Sequence, residues 1–156
     1  MDIETRTQML DRYAEAIAAI HAALEGITDA ELDRRPAHDA WTAREIVHHL
    51  ADSETNSFIR LRRLVAEDDP VIIGYDEQLW AVKLHYQRPI ESSLATLVAV
   101  RAASLDLARS LTEAEWRRSG THNESGPYSV ERWLEIYCQH PQDHADQIRR
   151  ARAGRT

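Results

Sequence analysis

With 156 residues, 43% of them hydrophobic, the chain suits one domain, residues 1–156. A chain of this size buries roughly 70% of its unfolded surface, so it needs no disulfide or metal staple to hold a core. A net charge of −7 with no basic block argues against nucleic acid. The single cysteine, Cys138, excludes an internal disulfide framework and a multi-cysteine zinc site. No apolar run reaches membrane-spanning length, and the polar start MDIETRTQML lacks the apolar stretch of a secretory signal. A cytoplasmic protein with no membrane partner is therefore expected.

Helical periodicity dominates the chain. From Glu4 to Leu24, apolar residues recur at Met9, Leu10, Tyr13, Ile17, Ile20 and Leu24, and Gly26 ends the helix. Thr28 to Glu31 has the form of a capping box opening a short helical turn, which Pro36 closes. A second box, Thr42 to Glu45, opens a long helix to about Ala66 carrying Ile46, Val47, Leu50, Phe58, Leu61, Leu64 and Val65. Glu67 to Pro70 stops it, Val71 to Gly74 forms an extended link, and Asp76 caps a helix to about Tyr86. Pro89 suits a first helical turn, from which a third long helix runs to Leu111. Thr112 to Glu115 opens another short helix. Arg117 to Pro127 is polar and glycine-containing, hence a loop with at most a little extended structure. Ser129 caps the last long helix, ending near Gly154. No strand alternation is strong enough to build a sheet. Four long amphipathic helices are expected to bury their apolar stripes as an all-α four-helix bundle.

The last helix contains YCQHPQDHADQIRR, Tyr137 to Arg150. With residues turning by about 100° each and His140 set at zero, His144 lies at about 40°, Trp133 at about 20°, Tyr137 at about 60° and Ile148 at about 80°. Both histidines therefore fall within the apolar stripe and face the interior. Their side-chain roots, one turn apart, are about 5–6 Å from each other, close enough for both rings to reach one metal ion. Two core histidines bonded to polar neighbours fit the same pattern. Pro141 removes the hydrogen bond to the Tyr137 carbonyl, so the helix is expected either to kink or to restart there. Proline also occupies the slot of the glutamate in a thermolysin-type HExxH motif, so that chemistry is ruled out. A catalytic metal needs a third ligand. Of the other histidines, His48 and His49 lie on a long helix at opposite edges of a broad apolar arc. Periodicity does not choose between them; one is expected to face the interior and the other not.

WTAREIVHHLADSE, the YDEQLWA stretch from Tyr75 to Ala81, and YCQHPQDHADQIRR stand in an order and spacing that resemble the DinB/YfiT-like superfamily of metal-dependent enzymes. The resemblance covers roughly residues 31 to 150. It implies an up-down-down-up four-helix bundle, often dimeric, with a divalent metal, usually zinc or nickel, on three histidines. Residue by residue these fall on His49, His140 and His144. It further implies a small-molecule substrate and either hydrolysis or transfer using a low-molecular-weight thiol. Two departures stand out: Glu54, where close relatives often have histidine, and Gln139, Pro141, Gln142 and Asp143 around the final pair.

Three neutral imidazoles leave a position open for water or a thiol, both of which a metal ion ionises readily. Glu45, four residues before His49, and Asp52, three after it, are candidates to orient the ligand rings. Asp143 lies off the stripe and is expected to face solvent. Tyr75 and Trp80 are candidates to line the substrate pocket, and His122 to contact substrate or act as a general acid. Cys138 points away from the ligands. The alternative to an enzyme is a non-catalytic dimeric helical bundle that binds a ligand or partner.

Overall fold

Side-chain caps set where the long helices begin. In the computed structural model, which describes residues 1–156, Asp2 accepts from the Thr5 amide and opens α1 (Ile3–Leu24); Gly26, at φ 63°, takes the chain out of it. The Thr28 box opens the single turn α2 (Asp29–Leu32), and the Thr42 box opens α3 (Ala43–Ala66). In each box the threonine hydroxyl accepts from the third helical amide while the glutamate accepts from the threonine amide, so two donors with no helical partner are satisfied together. Asp76 caps α4 (Glu77–Lys83), which ends short of the expected Tyr86. α5 (Glu91–Ser110) follows Pro89 without a side-chain cap, α6 (Glu113–Trp116) carries a third box, and Ser129 caps α7 (Val130–Arg152). No helix is long and apolar enough to cross a membrane.

The helix directions follow from which residues meet. Tyr13, midway along α1, packs on Trp133 near the start of α7, and Arg152 donates to the Ala23 carbonyl near the ends of both, so these helices run parallel. His48 meets Ser93 and Arg62 reaches the Ala103 carbonyl, so α3 and α5 are also parallel. Trp133 bonds Ser57 while His144 meets His49, which sets α7 antiparallel to α3. The bundle is up-down-down-up.

The core has two apolar halves. One gathers Tyr13, Leu61, Leu64, Ala108, Trp133 and Leu134; the other gathers Ile20, Ile46, Leu50, Leu97, Ala145 and Ile148. α3, α5 and α7 pass from one half to the other through a layer of buried polar side chains, Ser53, Glu54, Arg101 and Ser104, with His140 and His144 beside it on α7.

One expectation is corrected. The polar stretch after α6 is no loop. β2 (Ser119–His122) and β3 (Gly126–Ser129) form an antiparallel hairpin, and β1 (Val71–Ile72) pairs with β2 in parallel, giving the order β1-β2-β3. Strands of two to four residues are too short for alternation to register, and turn chemistry sets them instead. Gly126, at φ 81°, closes the hairpin, and Gly120 lets the Pro70 carbonyl lie where a Cβ would otherwise clash with it. This sheet carries His122 toward the bundle. Of the two outcomes expected at Pro141, the restart does not occur: the proline lies inside one helix, α7.

Candidate metal centre

α3 supplies His49, and α7 supplies His140 and His144. Their ring centroids are 5.5 Å (His49–His140), 4.8 Å (His49–His144) and 4.4 Å (His140–His144) apart. One ring nitrogen from each lies within 4.8 Å of the others. Nε2 of His140 and Nε2 of His144 are 3.1 Å apart; nitrogens sharing a tetrahedral ion at about 2.0–2.1 Å are about 3.3 Å apart. His144 is held by Gln147, whose Oε1 accepts from Nδ1 at 2.7 Å. That bond puts the proton on Nδ1 and leaves the Nε2 lone pair facing His140. Without a cation, such a pair is compatible only if His140 donates its own proton across the gap; His140 and His144 would each have an Nε2 lone pair to offer a cation placed there.

Burial keeps all three rings neutral. It lowers His49 to about 3 and His140 to about 2, with His144 adding to each shift, and it lowers His144 as well. Neutral imidazole is the form that ligates. Nδ1 of His49 and Nδ1 of His140 are buried with no hydrogen-bond partner. Arg60, Tyr75, Ser104 and Tyr128 also carry a buried atom without a partner, so it is the convergence of the three rings together with these orphans, and not the orphans alone, that fits a binding site better than a packed core. Trp41 covers His49, ring to ring at 4.7 Å, and is itself held by Gln78.

The orienting carboxylates expected beside His49 are engaged elsewhere. Glu45 accepts from the Thr42 amide as part of the capping box and from Arg35 at 2.6 Å. Asp52 accepts from the Tyr86 hydroxyl at 2.6 Å. The helix start claims the first, and the second leans to the His48 side of α3. His48 also departs from expectation: it is as buried as His49, at 0% and 1% exposure. Its Nε2 donates to the Arg88 carbonyl at 2.9 Å and its Nδ1 accepts from Ser93 at 2.8 Å. Both edges of the apolar arc are covered, one by α7 and the other by α5 with the Arg88 link.

The DinB superfamily model matches residues 12–148. The chain belongs to the DinB superfamily. A protein of Oceanobacillus iheyensis provisionally named a metal-dependent hydrolase is 37% identical over 122 residues, 78% of this chain and 71% of that protein. YfiT of Bacillus subtilis, named in the same provisional way, is 32% identical over 147 residues, 93% and 83% of the two chains. The solved structure of YfiT, described as a probable metal-dependent hydrolase with an unusual four-helix bundle topology, superposes with a TM-score of 0.91. It is 30% identical, covering 100% of this chain and 91% of that one.

In this DinB-type bundle a cavity of about 230 Å³ opens beside the triad, lined by His140, Ser53, Tyr137, Arg60, Tyr75 and His122 among others. Two of the three expected pocket residues, Tyr75 and His122, thus line it. Trp80 does not; it backs Tyr75, ring to ring at 4.4 Å. His122 accepts at Nδ1 from the Glu124 and Ser125 amides, at 3.2 and 3.4 Å, which puts its proton on Nε2. Burial first and the Arg60 charge second lower its pKa, so it stays neutral. Asp143 is exposed and Cys138 is packed in the core, as expected. Sequence reasoning missed Gln147, Trp41 and Arg60. Gln147 was within reach, being three residues after His144 on one helix face. Arg60 was not, because the segments it bonds, the Ile73 carbonyl and the Tyr137 hydroxyl, meet only in the folded chain.

Proposed function

We propose that the protein is a metal-dependent hydrolase acting on a small molecule, with zinc or nickel held by His49, His140 and His144. The observation that carries this reading is the convergence of three neutral imidazoles from two helices, His49 buried and His140 and His144 half-buried, beside one cavity. A divalent ion bound there supplies Lewis-acid chemistry: it polarises a carbonyl and brings the pKa of water toward 7. The chain's own residues do the rest. Gln147 fixes the tautomer of His144, and Trp41 seals the far side of His49 from solvent. His122 presents a neutral N–H donor to a substrate oxygen across the cavity. Arg60, whose acceptors are a carbonyl and a phenol rather than a carboxylate, keeps a positive charge at the cavity wall.

The test begins with metal content. Untagged protein incubated with zinc or nickel binds one equivalent, and His49→Ala binds none while keeping its helical spectrum. Loaded protein is then screened against small esters and amides, with and without a low-molecular-weight thiol. Turnover only with thiol present replaces hydrolysis by thiol transfer at the same centre. Absence of metal uptake leaves the bundle as a non-catalytic binding module.

A further inference from the structure

We propose that Arg101 is a positioning residue for the metal centre: from α5 it replaces the helical hydrogen bond that Pro141 deletes, and so holds His140 in register with His144 and His49. This rests on the metal-site reading above. Proline at 141 has no N–H, so the Tyr137 carbonyl four residues earlier loses its helical donor, and the ring crowds it. A helix relieves this by bending away from the carbonyl. Here the bend would fall between the two histidines that α7 contributes.

The neighbouring helix supplies the missing donor. Arg101 Nη2 donates to the Tyr137 carbonyl at 3.0 Å. The same guanidinium donates from Nε to the Tyr13 carbonyl at 3.1 Å and from Nη1 to Glu54, and its face lies 3.5 Å over the Tyr13 ring. Tyr13 in turn donates its hydroxyl to Glu54 at 3.2 Å. Arg101 and Glu54 are 2% and 1% exposed, so each charge is matched inside the protein. One side chain thereby binds all three other long helices. Two of them carry the ligands: Glu54 lies five residues after His49 on α3, and Tyr137 three before His140 on α7. At a rise of about 1.5 Å per residue, the clamp sits about one turn below the imidazoles. A lysine, one point charge on a flexible stem, cannot replace a planar fork that reaches three helices.

The decisive comparison uses Pro141→Ala, which restores the backbone donor. Metal affinity is read by chelator competition, and local order in α7 by amide exchange of residues 142–145 in the metal-free protein. The double variant Glu54→Gln/Arg101→Met removes the clamp without stranding a charge. It is expected to bind zinc about 10–100-fold more weakly, the range for groups that orient ligands, and to lose exchange protection at 142–145. Adding Pro141→Ala returns affinity to within about threefold and restores the protection, while Pro141→Ala alone changes little. Arg101→Lys, a milder change for use if the double variant fails to fold, shows an intermediate loss with the same rescue. Unchanged zinc affinity in the clamp variants, or a loss that Pro141→Ala does not recover, overturns the inference while leaving the metal site standing. If the wild-type protein takes up no metal, the functional reading fails, and the exchange data decide alone: loss with rescue supports the clamp, and no coupling between residues 101 and 141 overturns it.

Discussion

His48 and His49 are adjacent on α3, equally buried, and opposite in chemistry. Both nitrogens of His48 are bonded, to Ser93 and to the Arg88 carbonyl, and the ring pins the link between α4 and α5 onto α3. His49 has no hydrogen-bond partner at Nδ1 and faces two more imidazoles. A buried polar group without a partner destabilises a fold, and a bonded one does not. On the metal-site reading proposed above, the difference separates an imidazole that serves architecture from one that serves a ligand, where neither burial nor position in the stripe does.

The comparison breaks most directly at His49. His49→Ala is expected to weaken zinc binding by at least about 1000-fold, because two remaining imidazoles rarely hold a catalytic ion. Its metal-free stability should fall by less than that of His48→Ala, since both leave a cavity but no hydrogen-bond partner is orphaned at Nδ1 of His49. Chelator competition and urea unfolding of the same sample check both halves. A variant that still binds zinc tightly would remove His49 from the centre.

The triad also makes stability depend on pH. The folded-state pKa values of His49 and His140, about 3 and about 2, lie below the ordinary 6.5. Between these limits the unfolded chain binds protons that the folded chain does not. The contribution is therefore complete above about pH 6.5 and is lost as pH falls toward the folded values. From pH 7 to pH 5 the metal-free protein should lose about 3–4 kcal/mol relative to His49→Ala/His140→Ala. Urea unfolding at the two pH values measures it. Parallel pH dependences in the two proteins would mean that the rings titrate normally.

His48→Ala should show the reverse of His49→Ala. Orphaning the Arg88 carbonyl and the Ser93 hydroxyl and leaving a cavity should cost about 2–3 kcal/mol of stability, with zinc affinity of the folded protein within about threefold of wild type. Loss of zinc without loss of stability would exchange the two roles.

Periodicity and capping made most of this architecture readable. The boxes at Thr28, Thr42 and Thr112 and the cap at Ser129 each open the helix expected of them. The stripe position of His140 and His144 was a local property of one helix, and periodicity finds such properties well. The sheet was not legible, because strands of two to four residues depend on Gly120, Gly126 and pairing across about 50 residues of chain. Nor was the choice of His49 over His48, which depends on what covers each edge of α3. Arg101 was a signal left unread: it lies four residues after Leu97 and four before Leu105, in the middle of an apolar stripe. Glu54 and the carbonyl left without a donor by Pro141 are joined through it.

Gln147→Ala tests the one side chain from outside the triad bonded to a ring of the proposed centre. Freeing Nδ1 of His144 lets the proton move to Nε2 and compete with an ion, so zinc affinity should fall about tenfold, the lower end for such groups. Chelator competition again reads it. No change would mean that the tautomer is set by the ion alone.

The smallest effect is expected at Asp52. Its place three residues after His49 suggests a carboxylate partner for that ring, yet its oxygen is taken by Tyr86 at 2.6 Å and His49 Nδ1 has no partner. If the carboxylate serves the Tyr86 contact alone, Asp52→Asn keeps an acceptor for the hydroxyl, and zinc affinity should move by less than about threefold, where a true orienting carboxylate would cost 10-fold or more, roughly. A drop of that size would mean that α3 turns on metal uptake to bring Asp52 to His49. The rigid contrast between the two faces of this helix would then hold only for the metal-free protein.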